Sequence, residues 1–192
     1  MEKLITALRV FIVYALLLGI LYPLGITGIG HLLIASKANG SLIYKNDQIV
    51  GSALIAQEFT EPKYFHSRFS AVNYSGNNSG ASNLSPSSQA LMDKTASYIK
   101  KVRLENNLSA NIEIPADMVL ESASGLDPHI SYENALLQVK RVATARHISE
   151  DTIKNLIDEN TDLDFIGIWG QDAVNVLQLN LALDTLKKTI NN

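Results

Sequence analysis

Cysteine is absent from the 192 residues of this chain, which removes disulfides, thiolate nucleophiles and cysteine-ligated metals together. Basic residues have no excess either: 16 lysines and arginines stand against 19 aspartates and glutamates, so nucleic acid is not expected as a partner. No Gly-rich phosphate loop of the Walker type occurs, so no autonomous nucleotide site is expected. The histidines, His31, His66, His129 and His147, make no His-x-x-x-His pair, and a zinc ion would need three or four ligands. No metal site and no resident cofactor are therefore expected. Beyond residue 36 no long apolar run appears, so any crossing of a membrane lies near the N-terminus.

What is present there is a run from Val10 to Ser36 without one Asp, Glu, Lys or Arg. About 20 mostly apolar residues suffice to cross a bilayer. Ser36-Lys37-Ala38 resembles a small-x-small cleavage site, but a signal peptide has only about 7–15 apolar residues, so an uncleaved anchor in membrane lipid is the reading. Lys3 and Arg9 before the run nearly balance Lys37 and Lys45 after it. The expectation is a short cytoplasmic tail over 1–9, a transmembrane helix over 10–36 and an extracytoplasmic α+β domain over 37–192. Pro23, among Gly19, Gly25, Gly28 and Gly30, predicts a kink or a frayed outer end. Ala15 and Gly19 have the small-xxx-small spacing that lets helices approach in lipid, and both a helix contact and chance spacing fit it.

Past the anchor, apolar and β-branched stretches flank Asn46-Asp47, which predicts a β-hairpin. Residues 58–88 are rich in Asn, Ser, Gly and Pro but carry Tyr64, Phe65, Phe69 and Tyr74, so an ordered functional loop is expected rather than disorder. Ser85 with Pro86 predicts the start of a helix reaching about Glu105, and Ile112 and Ile114 predict a short strand. Ser131 and Ser149 predict caps of two further helices, the first ending near Arg146. The stretch from Val174 to Ile190 fits strand and helix periods alike, and its length predicts a helix. The fold class is α+β: a single N-terminal transmembrane helix followed by one mixed α/β extramembrane domain.

Several motifs bear on chemistry. Asp93-Lys94-Thr95 opens like a phosphorylation motif but continues with Ala96 where Gly is required, inside an amphipathic helix. Asn39, Asn73, Asn77, Asn83 and Asn107 each open an Asn-x-Ser acceptor, a pattern that arises by chance in a chain so rich in Asn and Ser. Asp127 and His129 bring an acid and an imidazole just before a helix start. Three readings fit them: a rigid turn in which Pro128 fixes φ and the carboxylate bonds backbone amides, a partner contact, or a hydrolase centre. Tyr64, Phe65 and Arg68 have the composition of a protein contact, while core burial of the two aromatics fits equally well. The contact candidates are thus Ala15, Gly19, Pro23, Tyr64, Phe65, Arg68, Asp127 and His129, with no residue assigned to catalysis.

Taken in order, four segments carry a resemblance: Gly51-Ser-Ala-Leu-Ile-Ala-Gln57, Tyr64-Phe-His-Ser-Arg68, Ser79-Gly-Ala-Ser-Asn-Leu84 and Ser124-Gly-Leu-Asp-Pro-His-Ile-Ser131. Gln138, Arg141, Arg146 and the run from Val174 to Asp184 extend it. Together they resemble the C-subunit family of the Kdp potassium-transporting ATPase, a bacterial ATP-driven uptake complex. Phe69 departs from the family's usual Pro, Ala56, Ala81, Ser85 and Ala123 depart from Gly, and the loop around Trp169-Gly-Gln171 differs. The resemblance implies a non-catalytic accessory subunit beside a channel-like potassium-binding subunit and a P-type ATPase subunit, which handle potassium and ATP. It also implies a suggested role as a catalytic chaperone that raises the ATP affinity of the ATPase subunit. A membrane-anchored hydrolase using Asp127 and His129 is the alternative, and a glycosylated surface receptor a third.

Overall fold

The structure is a computed structural model, which describes residues 1–162 and 170–190, with side chains through Leu186. It divides into two units, Met1–Val50 and Gly51–Asn192.

In the first unit the uncharged run is helical. Helix α1 spans Glu2–Leu16, a π-helical turn Leu17–Leu21, and α2 Tyr22–Leu33. Together, Glu2–Leu33 is long and apolar enough to cross a bilayer. The helix thus takes in the stretch before Val10 and stops short of Ser36, at Ile34, whose φ of −139° leaves the helical region. The irregularity expected at Pro23 takes the form of the π turn. Proline lacks an amide hydrogen and its ring crowds the carbonyl four residues back, so one turn widens and the Tyr22 N–H bonds to the Leu17 carbonyl, five back. A short helix α3, Ala35–Ala38, follows. Strands β1, Leu42–Lys45, and β2, Gln48–Ser52, then pair as the expected hairpin. Asn46 and Asp47 both have positive φ, 51° and 61°, as a two-residue turn of this kind requires.

In the second unit, residues 58–88 form an irregular but tightly bonded loop. Its helix begins later than Ser85. Pro86 sits inside a turn closed by the Ser88 amide on the Ser85 carbonyl at 2.9 Å, and Ser88 caps α4, Gln89–Asn106, by accepting from the Leu91 amide. No strand forms at Ile112 and Ile114. The Arg103 guanidinium takes the carbonyls of Ser109 and Ile112, and Pro115 lacks the amide a ladder would need. The two remaining serine caps are found as expected, on α5, Tyr132–Arg146, and α6, Glu150–Glu159.

A three-stranded antiparallel sheet holds the centre, in the order β3 (His129–Ser131), β5 (Ala173–Asn175), β4 (Thr161–Asp162), with His129 opposite Asn175 and Thr161 opposite Val174. The helix expected from Val174 therefore starts later, as α7, Val176–Ile190. Asn175 ends the strand and caps the helix, accepting from the Gln178 amide at 3.1 Å. One face of α5, α6 and α7 buries Val139, Val142, Ile153, Ile157, Leu179 and Leu183 around Phe65. A smaller cluster of Val102, Met118 and Val119 takes in Phe69, which stacks on Tyr98 with centroids 3.7 Å apart.

Candidate functional site

Five of the residues singled out in the sequence, Tyr64, Phe65, Arg68, Asp127 and His129, gather in two places of the second unit. Around Tyr64–Arg68 the chain is extended but belongs to no sheet, so its backbone polar groups must find partners elsewhere. Side chains from two helices supply them. Asn180 of α7 accepts from the Phe65 amide at 2.8 Å and donates to the Phe65 carbonyl at 2.9 Å. Gln138 of α5 does the same for His66, at 2.8 and 3.2 Å. Arg141 Nη1 donates to the carbonyls of Pro62 and Tyr64, both at 2.8 Å, and Arg146 Nε donates to that of Lys63 at 2.6 Å. Arg146 also pairs with Asp184 at 3.0 Å and lies 5.0 Å from the Tyr64 ring centre, while the Tyr64 hydroxyl reaches Asp184 at 3.3 Å. The result is a clasp that holds one extended segment against α5 and α7.

Phe65 is fully buried, so of the two readings open for it, core residue is the correct one. Tyr64 is half-buried in the clasp. Burial first, then the Arg141 charge, lowers the His66 imidazole from 6.5 to about 4. Burial also pulls Arg141 down to about 10, still charged at neutral pH.

The second place is the turn before β3. Asp127 Oδ1 accepts from the His129 amide at 3.0 Å across Pro128, and Oδ2 accepts from Arg68 Nη1 at 2.8 Å. This is the rigid-turn geometry, with an ion pair added. The His129 imidazole, its amide and Arg68 together hold the Asp127 carboxyl below the usual carboxylate range, against the opposing effect of burial. His129 Nδ1 lies 3.7 Å from Asp127 Oδ1, and Nε2 lies 3.9 Å from Asp162 Oδ2 and 3.5 Å from Asn175 Nδ2. A histidine base for acyl transfer needs a hydroxyl within about 3.2 Å. Among the described residues, no serine or threonine is hydrogen-bonded to either nitrogen of this ring. Nor do His, Asp and Glu residues cluster there in a way that could hold a metal ion, among the described residues.

Arg68 and Asp127 stand between two open depressions, of about 840 and 870 Å³. The first is lined by Ile114, Pro115, Leu136 and Leu137 with Glu113 and Glu133, and His129 faces it; the second is lined by Ser79, Ser82, Asn83 and Ser124. The loop bearing those serines is pinned by Ser70, whose hydroxyl donates to the Gly125 carbonyl at 2.6 Å, and by the Gly80 amide on the Ser124 carbonyl at 2.8 Å.

The candidates Ala15, Gly19 and Pro23 lie in the apolar helical stretch Glu2–Leu33, in the other unit. Asp93-Lys94-Thr95 lies inside α4, where Lys94 pairs with Glu121 at 2.6 Å. Of the departures noted above, Trp169 lies outside the described residues, while Gln171 lines the first depression.

Three of the four resembling segments thus sit at the clasp, at the turn and on the loop tied to the turn, and the fourth, Gly51–Gln57, is bonded beside the turn by the Ala56 amide on the Leu126 carbonyl at 2.9 Å. Comparison with known proteins agrees. The family model described as K+-transporting ATPase, c chain, KdpC, matches residues 4–185. The chain belongs to this family. The potassium-transporting ATPase KdpC subunit of Mycobacterium bovis (strain BCG / Pasteur 1173P2) is 46% identical over 187 residues, covering 96% of this chain and 99% of that one. The subunit of the same name from Rhodopseudomonas palustris (strain BisB5) is 45% identical over 192 residues, covering 93% and 94%. That of Ralstonia nicotianae is 45% identical over 184 residues, covering 94% and 90%.

Asn134 and Asp117 were not singled out in the sequence, and Asn180 and Asp184 entered only as members of the run from Val174 to Asp184. The Asp117 carboxylate accepts from the Ser131 amide at 2.8 Å and from Asn134 Nδ2 at 2.9 Å, and Asn134 in turn accepts from Gln138 at 2.8 Å. The signal available was a polar residue within a buried helical stripe, such as Asn180 between Leu179 and Leu181.

Proposed function

We propose that the chain is a non-catalytic accessory subunit of an ATP-driven potassium uptake complex, anchored by one membrane helix, with its α+β domain on the extracytoplasmic side. It stabilises assembly of the channel-like potassium-binding subunit with the P-type ATPase subunit. It needs no cofactor of its own, since potassium and ATP are handled by those partners. The observation that carries this reading is the use of the family-type residues. Gln138, Arg141, Arg146 and Asn180 are spent on internal backbone hydrogen bonds, which is the arrangement of a scaffold. Any effect on the ATP affinity of the ATPase subunit would pass through contacts with partners, because the chain has no nucleotide loop and its domain faces away from cytoplasmic ATP in this topology.

The test is truncation after Ser36 with the partner subunits co-expressed. Complex recovery and potassium affinity both fall if the domain stabilises assembly; if both are unchanged, the reading is wrong. Replacing Asp127 and His129 together with Ala separates the hydrolase reading. An enzyme would lose turnover with assembly intact, whereas a structural turn affects turnover only through assembly.

A further inference from the structure

The segment joining the membrane helix to the first strand has no slack. Helix α3 closes in a full Schellman motif: the Ser41 amide donates to the Ser36 carbonyl at 2.9 Å, the Gly40 amide to the Lys37 carbonyl at 3.1 Å, and Gly40 takes a φ of 83°. Strand β1 begins at the next residue, Leu42. The helix is apolar through Leu32, Leu33 and Ile34, all exposed in this chain, which puts the hydrocarbon edge near them. Because Ser41 is bonded back to Ser36, the strand starts within about one helical turn, roughly 5 Å, of a residue only just past that edge. The headgroup layer on each side is itself about 5–8 Å deep.

The hairpin set at that level is amphipathic. Its two-residue turn places Lys45 opposite Gln48, hence Tyr44 opposite Ile49 on the same face, with Leu42 one pleat along. Tyr44 is 61% exposed and Ile49 59%, whereas Ile43 and Val50 on the other face are half-buried. So the exposed face is the one that carries Leu42, Tyr44 and Ile49. Tyrosine, with an apolar ring and a polar tip, is enriched where lipid meets water, and exposed Lys37 beside the boundary matches lipid phosphate.

We propose that the β1–β2 hairpin lies on the bilayer surface, with Leu42, Tyr44 and Ile49 in the headgroup and upper acyl layer. The inference rests on the membrane helix and does not depend on the transport role. Its consequence is that the chain leaves the membrane at a set height instead of on a free tether.

The absence of cysteine makes the test direct. The full chain, carrying Tyr44→Cys, Ile49→Cys or, as the opposite-face control, Gln48→Cys, is spin-labelled and placed in lipid nanodiscs. Collision with lipid-soluble oxygen is compared with collision with a water-soluble nickel chelate. The expected oxygen-to-nickel ratio at 44 and 49 exceeds that at 48 by about threefold or more, as for a face lying in the interface. Equal, water-like ratios at the three positions would overturn the proposal. So would protection at 44 and 49 that appears only when the partner subunits are present, since that would assign the face to a protein contact. All three positions are exposed, so the substitutions leave the core untouched, and circular dichroism of each labelled chain checks this.

Discussion

Gln138 and His66 form a two-bonded ring, in which the His66 amide donates to Gln138 Oε1 at 2.8 Å and Gln138 Nε2 donates to the His66 carbonyl at 3.2 Å. One residue earlier, Asn180 does the same for Phe65. Two side-chain amides thus play the part that a neighbouring strand would play in a sheet. Replacing Gln138 with Leu keeps approximate volume but strands both groups of His66, and Asn180→Leu strands those of Phe65. Each change is expected to cost about 2–4 kcal/mol, read as a fall in the denaturation midpoint of the full chain in detergent. A cost below about 0.5 kcal/mol, the usual effect of a surface change, would mean that the clasp contributes little.

The His66 ring makes that clasp sensitive to acid. Burial and Arg141 keep it unprotonated in the folded chain down to about pH 4, with the Glu61 carbonyl, Lys101 and Glu105 also facing it, while the unfolded chain takes up the proton near 6.5. A histidine pKa lowered on folding favours the folded state fully above pH 6.5, and this contribution is lost as pH falls from 6.5 towards 4. The whole loss is at most about 3 kcal/mol. Melting temperature measured against pH should decline through that window, and His66→Asn should flatten the decline. An unchanged slope in the variant would place the acid sensitivity elsewhere.

The contrast between the two halves of this site explains what could be read in the sequence. The Asp127-Pro128-His129 turn was legible because its bonds are local: a carboxylate reaches an amide two residues on, and proline fixes the path between them. The clasp was not legible, because Gln138 and Asn180 act on residues 72 and 115 positions away, and nothing in the local pattern links them. Helix caps at Ser131 and Ser149 were found for the same local reason, and the cap at Ser88 was misplaced to Ser85 because a proline two residues earlier suits either a first helical turn or the tight turn actually formed. The strand at 173–175 was hidden inside a run whose alternation and helical spacing coincide, so only pairing with β3 and β4 decides where the helix starts.

Gly125 and Gly40 share a positive φ, 68° and 83°, but not their surroundings. A Cβ on Gly125 would stand 2.6 Å from Val72 Cγ2 and 2.9 Å from the Gly80 carbonyl oxygen, whereas one on Gly40 meets nothing within 4 Å. Gly40→Ala should therefore cost only the backbone strain, about 1 kcal/mol. Gly125→Ala adds a backbone clash that also pushes on the 70–84 loop, and is expected to cost at least about twice as much. Denaturation midpoints of the two variants compare them directly, and equal costs would show that the loop yields freely.

Gly19 offers the opposite situation inside the apolar N-terminal helix. A side chain added there meets nothing within 4 Å, and the same holds for Gly25, Gly28 and Gly30. Leucine favours a helix more than glycine does and is welcome in lipid. Gly19→Leu should thus leave folding and membrane insertion intact, so any defect must come from a neighbouring helix that needs the close approach glycine permits. With the proposed potassium-binding and ATPase partners co-expressed, the variant is expected to reach the membrane fraction at the native level while co-purifying less of both. Gly28→Leu, about half a turn round from Gly19 at 3.6 residues per turn, serves as the comparison on the other side of the helix. Incorporation equal to the unaltered chain in both variants would make Glu2–Leu33 a plain anchor, and would leave assembly to the domain beyond it.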